Sequence, residues 1–184
     1  MTTRISTAPV VENSRSKMLL HWLLSIFILF LFVSSWWMLS LPLPSAEYAY
    51  RVLPFQLHKN IGMTVFLIIL IMIVMRARRR VVSDPDSKSL MRLFANIDQW
   101  AIYGTVFICC LSGYLSSSYS GWDTELWWLV NLPAWAAEND ELNIVFSDIH
   151  QWTCWLLILL VVSHIAAALY HGLLDDKQLN KMIP

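Results

Sequence analysis

Residues 149–174 read IHQWTCWLLILLVVSHIAAALYHGLL, a stretch without Asp, Glu, Lys or Arg that nevertheless carries His150, His164 and His171. A helix needs about 20 predominantly apolar residues to cross the hydrocarbon of a bilayer, and this stretch exceeds that length. Three more charge-free stretches precede it, at 18–46, 60–75 and 99–122. Four transmembrane spans follow, placed at about 18–40, 58–77, 97–117 and 149–173. The second is the shortest, but Lys59 and Arg76 at its ends can keep their alkyl stems in the apolar layer while their charges reach water.

The composition agrees: 57% of residues are hydrophobic and 14% charged, against the quarter or so charged in a soluble domain. The formal net charge is zero, yet the charges are sorted by side. Arg4, Arg15, Lys17, Arg76, Arg78, Arg79, Arg80, Lys88, Arg92, Lys177 and Lys181 fall on one face, and only Arg51 and Lys59 on the other. Positive charge marks the cytoplasmic side, so both termini are expected there. The opposite face carries seven carboxylates (Glu47, Asp123, Glu125, Glu138, Asp140, Glu141 and Asp148), for a net of −5. The N-terminal apolar run lacks a small-residue cleavage site after a short core and reads as a retained helix.

Pro42 and Pro44 end the first span, and Asp84-Pro85-Asp86 marks the turn between the second and third. The longest connection, 116–148, contains Trp122, Trp127, Trp128 and Trp135, suited to the membrane interface, and a short interfacial helix is expected there. The organisation is one bundle: a tail at 1–17, a four-helix transmembrane domain at 18–174 and a tail at 175–184. The expected fold class is an all-α membrane protein, a four-transmembrane-helix bundle in contact with lipid. No nucleic-acid partner is expected.

All five histidines, His21, His58, His150, His164 and His171, lie within or at the end of a span. Intramembrane ionisable residues are costly unless they face the bundle interior and find a partner, which makes them functional candidates. His150 and His164 are fourteen residues apart, which at 100° per residue brings them to within about 40° of one face and roughly 21 Å apart along the axis. Two stacked sites follow. His58 opens the second span at the outer surface and pairs with His150; His21 begins the first near the inner surface and pairs with His164, although by depth alone His171 competes with His164. Two axial imidazoles fill the coordination of a haem iron and suit electron transfer, so two non-covalent b haems are expected. The three cysteines, Cys109, Cys110 and Cys154, form no C-x-x-C-H motif for covalent haem and read as small buried hydrophobes. Zinc or copper is disfavoured because the histidines are split in pairs, and no buried carboxylate or thiolate is expected to complete a tetrahedral site.

The sequence resembles the bacterial cytochrome b561 family through His21-Trp22-Leu23, Leu57-His58-Lys59-Asn60-Ile61-Gly62, Ile149-His150-Gln151-Trp152 and the ending from Ser163-His164 through Tyr170-His171-Gly172 to Lys177. The resemblance runs from about Met18 to Ile183. It implies His21 and His164 as ligands of an inner haem, and His58 and His150 of an outer one, in a bacterial inner membrane. It also implies quinone-linked oxidoreductase chemistry with ubiquinone as electron acceptor or donor, some relatives being superoxide oxidases.

Arg51 matches a family arginine, and with Arg76 it is a candidate haem-propionate partner. Lys59 beside His58 is a second outer cation and, with Arg51, a candidate landing point for superoxide, although the acidic outer surface opposes an anionic substrate. His171, with Ser163 and Tyr170 as neighbours, is a candidate quinone or propionate contact. The sequence departs from some members at Gln99, where they carry histidine, and at Met72, where they carry arginine. Gly62 and Gly113 are read equally as sites of close approach to a macrocycle or as ordinary helix packing. A haem-bearing anchor subunit passing electrons between quinone and a separate periplasmic redox protein is the alternative function.

Overall fold

The computed structural model describes residues 14–41, 52–78, 89–121, 124–132 and 136–174. It consists of α1 (Ser14–Ser40), α2 (Val52–Ala77), α3 (Ser89–Tyr119), β1 (Thr124–Leu126), β2 (Val130–Leu132) and α4 (Asp140–Leu174). All four helices are long and apolar enough to cross a membrane. In hydrocarbon every backbone polar group needs an internal partner, which a continuous helix provides. The same demand falls on hydroxyls. Within α1, Ser25 donates to the His21 carbonyl (2.8 Å) and Ser35 to that of Phe32 (2.8 Å).

All four helices begin earlier than their charge-free stretches, α2 and α4 with identifiable starts. In α2, Pro54 sits in the first turn, where its missing N–H costs no intrahelical bond, so His58 lies almost two turns inside the helix. In α4, the Asn139 side-chain oxygen accepts the Leu142 N–H (3.0 Å), and Asp140 and Glu141 occupy the positive end of the helix dipole. The Asn143 amide donates to the Ser116 carbonyl (2.7 Å) and fastens this extension to the end of α3.

The connection between α3 and α4 contains a β-hairpin among its described residues, where an interfacial helix was expected. Strands β1 and β2 pair antiparallel, Thr124 opposite Leu132 and Leu126 opposite Val130. The turn places Trp127 and Trp128 at φ of 50° and 57°. Left-handed backbone costs an L-residue roughly 1–2 kcal/mol. That cost is offset by α2: the Trp127 N–H donates to Asn60 Oδ1 (2.9 Å) and its indole N–H to Thr64 Oγ1 (3.2 Å). A local helix would forfeit both bonds. Trp122 and Trp135 lie outside the described residues.

Helix α1 packs on α2, α2 on α3, and α3 on α4. The core joins Leu24 of α1, Val65, Ile68 and Ile69 of α2, Tyr103 and Val106 of α3, and Leu157 of α4. Large apolar side chains also cover the outside: Leu29 is 65% exposed, Trp36 63% and Leu159 65%. Such a surface exceeds what a soluble monomer tolerates, whereas lipid tails match it. The protein is a multi-pass membrane protein.

Candidate functional site

The bundle brings four of the five histidines together in two pairs. His58 of α2 faces His150 of α4 with ring centres 6.2 Å apart and planes at 79°. His21 of α1 faces His164 of α4 at 6.3 Å and 55°. Helix α4 is the shared element, and fourteen residues of helix separate its two members by roughly 21 Å.

The two α4 imidazoles are oriented differently. His150 Nδ1 lies 2.8 Å from the backbone carbonyl of Cys109. A carbonyl only accepts, so Nδ1 carries the proton and Nε2 keeps its lone pair. Gly113, one turn further along α3, leaves room for this ring: a Cβ there would stand 2.9 Å from His150 Nδ1 and 3.0 Å from its Cε1. The group that approaches Gly113 is the His150 imidazole, so this glycine serves the contact between α3 and α4. A Cβ at Gly62 would meet nothing within 4 Å. His164 Nδ1 lies 2.8 Å from the carboxylate of Asp98 on α3. A carboxylate acceptor likewise fixes the proton on Nδ1 and frees Nε2. His58 Nδ1 is buried without a hydrogen-bond partner among the described residues.

A family model described as prokaryotic cytochrome b561 matches residues 14–184. The chain belongs to the prokaryotic cytochrome b561 family. Among characterised relatives, cytochrome b561 homolog 2 of Escherichia coli (strain K12) is 29% identical over 169 residues, 89% of this chain and 86% of the relative. As a prokaryotic b561 cytochrome, the protein binds haem b and transfers electrons within a membrane. The histidine pairs fit that group. A metal–imidazole bond is about 2.0 Å, so two imidazoles that would hold one iron between them would have ring centres a little over 6 Å apart. Both observed separations agree with that value.

The remaining candidates divide. Arg51 lies outside the described residues, as does the side chain of His171, whose backbone is in the last turn of α4. Lys59 is half-buried beside His58. Arg76 bonds Gln99 and Asn96 across the α2–α3 contact, and its guanidinium stacks 5.4 Å from the Trp100 ring centre. Gln99 in turn donates to the Tyr103 hydroxyl (3.0 Å), so the residue that stands where some members have histidine belongs to a polar chain reaching Arg76. Ser163 donates within its own helix to Leu160 (2.8 Å), and Tyr170 is exposed.

Two sequence expectations need correction. A buried thiol and a carboxylate do approach the histidines: Cys109 Sγ is 3.6 Å from His150 Nδ1 and 3.4 Å from Cys154 Sγ, and Asp98 touches His164. Cys109, His150 and Cys154 together have the proximity of a metal cluster. His150 Nδ1 already donates to the Cys109 carbonyl, however, which removes the nitrogen on that side as a ligand. Asp98 and the Cys109 carbonyl are the functional groups that sequence reading missed. Asp98 had one visible signal, as the acidic residue that closes the charge-free stretch beginning at Gln99; a backbone carbonyl has none.

Proposed function

We propose that this cytochrome holds two b haems, one between His58 and His150 toward the periplasmic face and one between His21 and His164 toward the cytoplasmic face of the inner membrane. Its function on this reading is to exchange electrons between a redox substrate at the outer face and ubiquinone in the bilayer. The observation that carries the proposal is the pair of imidazole–imidazole separations, 6.2 and 6.3 Å, on one shared helix. Bound haem supplies reversible one-electron exchange at iron.

The chain's own contribution is orientation. The Cys109 carbonyl and the Asp98 carboxylate hold the α4 imidazoles with Nε2 available, and the apolar shell of Val65, Ile69 and Val106 keeps water from the space between the sites. Two histidines on each haem would leave no open position for oxygen, which would favour electron transfer over oxygen binding. The cationic excess at the ends of α1 and α2 and in the connection to α3 supports cytoplasmic termini.

The test is a reduced-minus-oxidised spectrum and a haem-to-protein ratio on detergent-purified protein, followed by addition of superoxide and of ubiquinone. Two haems per chain, reduced by superoxide and reoxidised by ubiquinone, establish the enzyme reading with superoxide as outer substrate. Two haems that superoxide does not reduce assign the outer substrate to a redox protein, the anchor-subunit reading. One haem or none overturns the proposal.

A further inference from the structure

The Nδ1 partners of the two α4 histidines differ in charge. His150 donates to a neutral backbone carbonyl, that of Cys109, at 2.8 Å. His164 donates to the carboxylate of Asp98, also at 2.8 Å, with Asp98 partly shielded from solvent at 26% side-chain exposure. A hydrogen bond to a carboxylate makes an imidazole a stronger electron donor than one to a carbonyl, and second-shell hydrogen bonding is one of the means by which a protein sets a haem potential. A negative charge one imidazole away from iron also favours the ferric state, which bears one more positive charge than the ferrous. The two effects act in the same direction. Arg76 is bonded to Gln99 and Asn96, one residue after and two residues before Asp98 in α3.

We infer that Asp98 is a positioning and potential-setting residue that makes the haem between His21 and His164 the lower-potential member of the pair. The inference rests on the ligand map proposed above. Its consequence is that, between the two haems, transfer from the inner site to the outer is the downhill step. This is the opposite sense to the one superoxide oxidation requires.

The experiment is potentiometric titration of the purified cytochrome, with haem content measured on the same samples. Wild type should show two midpoints. Asp98→Asn keeps an oxygen that accepts the Nδ1 proton and removes the charge. In this variant the lower midpoint should rise enough to change that haem's reduced-to-oxidised ratio at fixed potential about tenfold, ~59 mV for a one-electron couple, while the higher midpoint stays in place. His164→Ala supplies a second arm that does not depend on the Asp98 variant accumulating: the haem it retains should titrate at the higher wild-type value. Unmoved midpoints in Asp98→Asn, or a retained haem at the lower value, overturn the inference and leave the ligand map standing. Two haems retained in His164→Ala show instead that the ligand map is wrong.

Discussion

The imidazole of His150 occupies the space that a side chain at Gly113 would fill. A Cβ on Gly113 would stand 2.9 Å from Nδ1, closer than side-chain carbons approach ring nitrogens, while that ring holds its 2.8 Å contact with the Cys109 carbonyl. Gly113→Ala should therefore displace His150 and lower haem content toward one haem per chain, read by haem-to-protein ratio. Gly104→Ala, where an added Cβ meets nothing within 4 Å, should keep the full complement. Equal haem content in the two variants would mean that His150 does not need its present position.

The pairing itself makes a symmetrical expectation. Removing either imidazole of a pair should give the same spectrum: His58→Ala should match His150→Ala, and His21→Ala should match His164→Ala, each with about half the haem lost. If His21→Ala and His164→Ala lost different haems, the 6.3 Å approach of their rings would not be an axial pair.

Because the partner of His150 is the backbone of residue 109, Cys109→Ala should retain haem at this site. The variant leaves the carbonyl at 2.8 Å and removes the Sγ contacts to His150 and Cys154. Its cost should be confined to packing, about 1 kcal/mol for one small buried atom, seen as a slightly lower melting temperature. Loss of a haem would assign the thiol a ligand-orienting role.

Asn60 is fully buried and holds the strained turn at Trp127 through its side-chain oxygen. Asn60→Leu removes that acceptor and strands the Trp127 N–H, at a cost of about 1–3 kcal/mol. The expected readout is selective: faster protease cleavage in the 124–132 hairpin, with the haem spectrum of the His21–His164 pair unchanged. Unchanged cleavage would show that the hairpin is held by other contacts.

Arg76 spans Gln99 and Asn96 with a planar fork that lysine does not possess. Arg76→Lys should lower thermal stability by about 1 kcal/mol and expose the α2–α3 junction to faster amide exchange at residues 96–99. Wild-type exchange rates in this variant would reduce Arg76 to an interfacial charge.

Much of this molecule is determined by the sequence alone. Four apolar stretches, the second completed by its flanking Lys59 and Arg76, specify four helices, because a lipid solvent leaves the backbone almost no alternative. The fourteen-residue interval between His150 and His164 specifies two imidazoles near one face of one helix, roughly 21 Å apart, since helical rise and turn are constants. The positions of helix starts were less legible. Asn139 caps α4 more than two turns before its charge-free stretch, and Pro54 is accommodated in the first turn of α2, so both helices extend beyond the stretches that lack charge. What only the tertiary structure decided is which groups meet across helices. The approach of His164 to His21, the carboxylate of Asp98 on one imidazole and the carbonyl of Cys109 on the other, and the hairpin in place of an interfacial helix all depend on contacts between residues 41 to 143 positions apart. Periodicity along one helix carries no information about the register of its neighbour. That register is set by packing, at positions such as Gly113 where only a missing side chain lets two helices come close enough for an imidazole to find its partner.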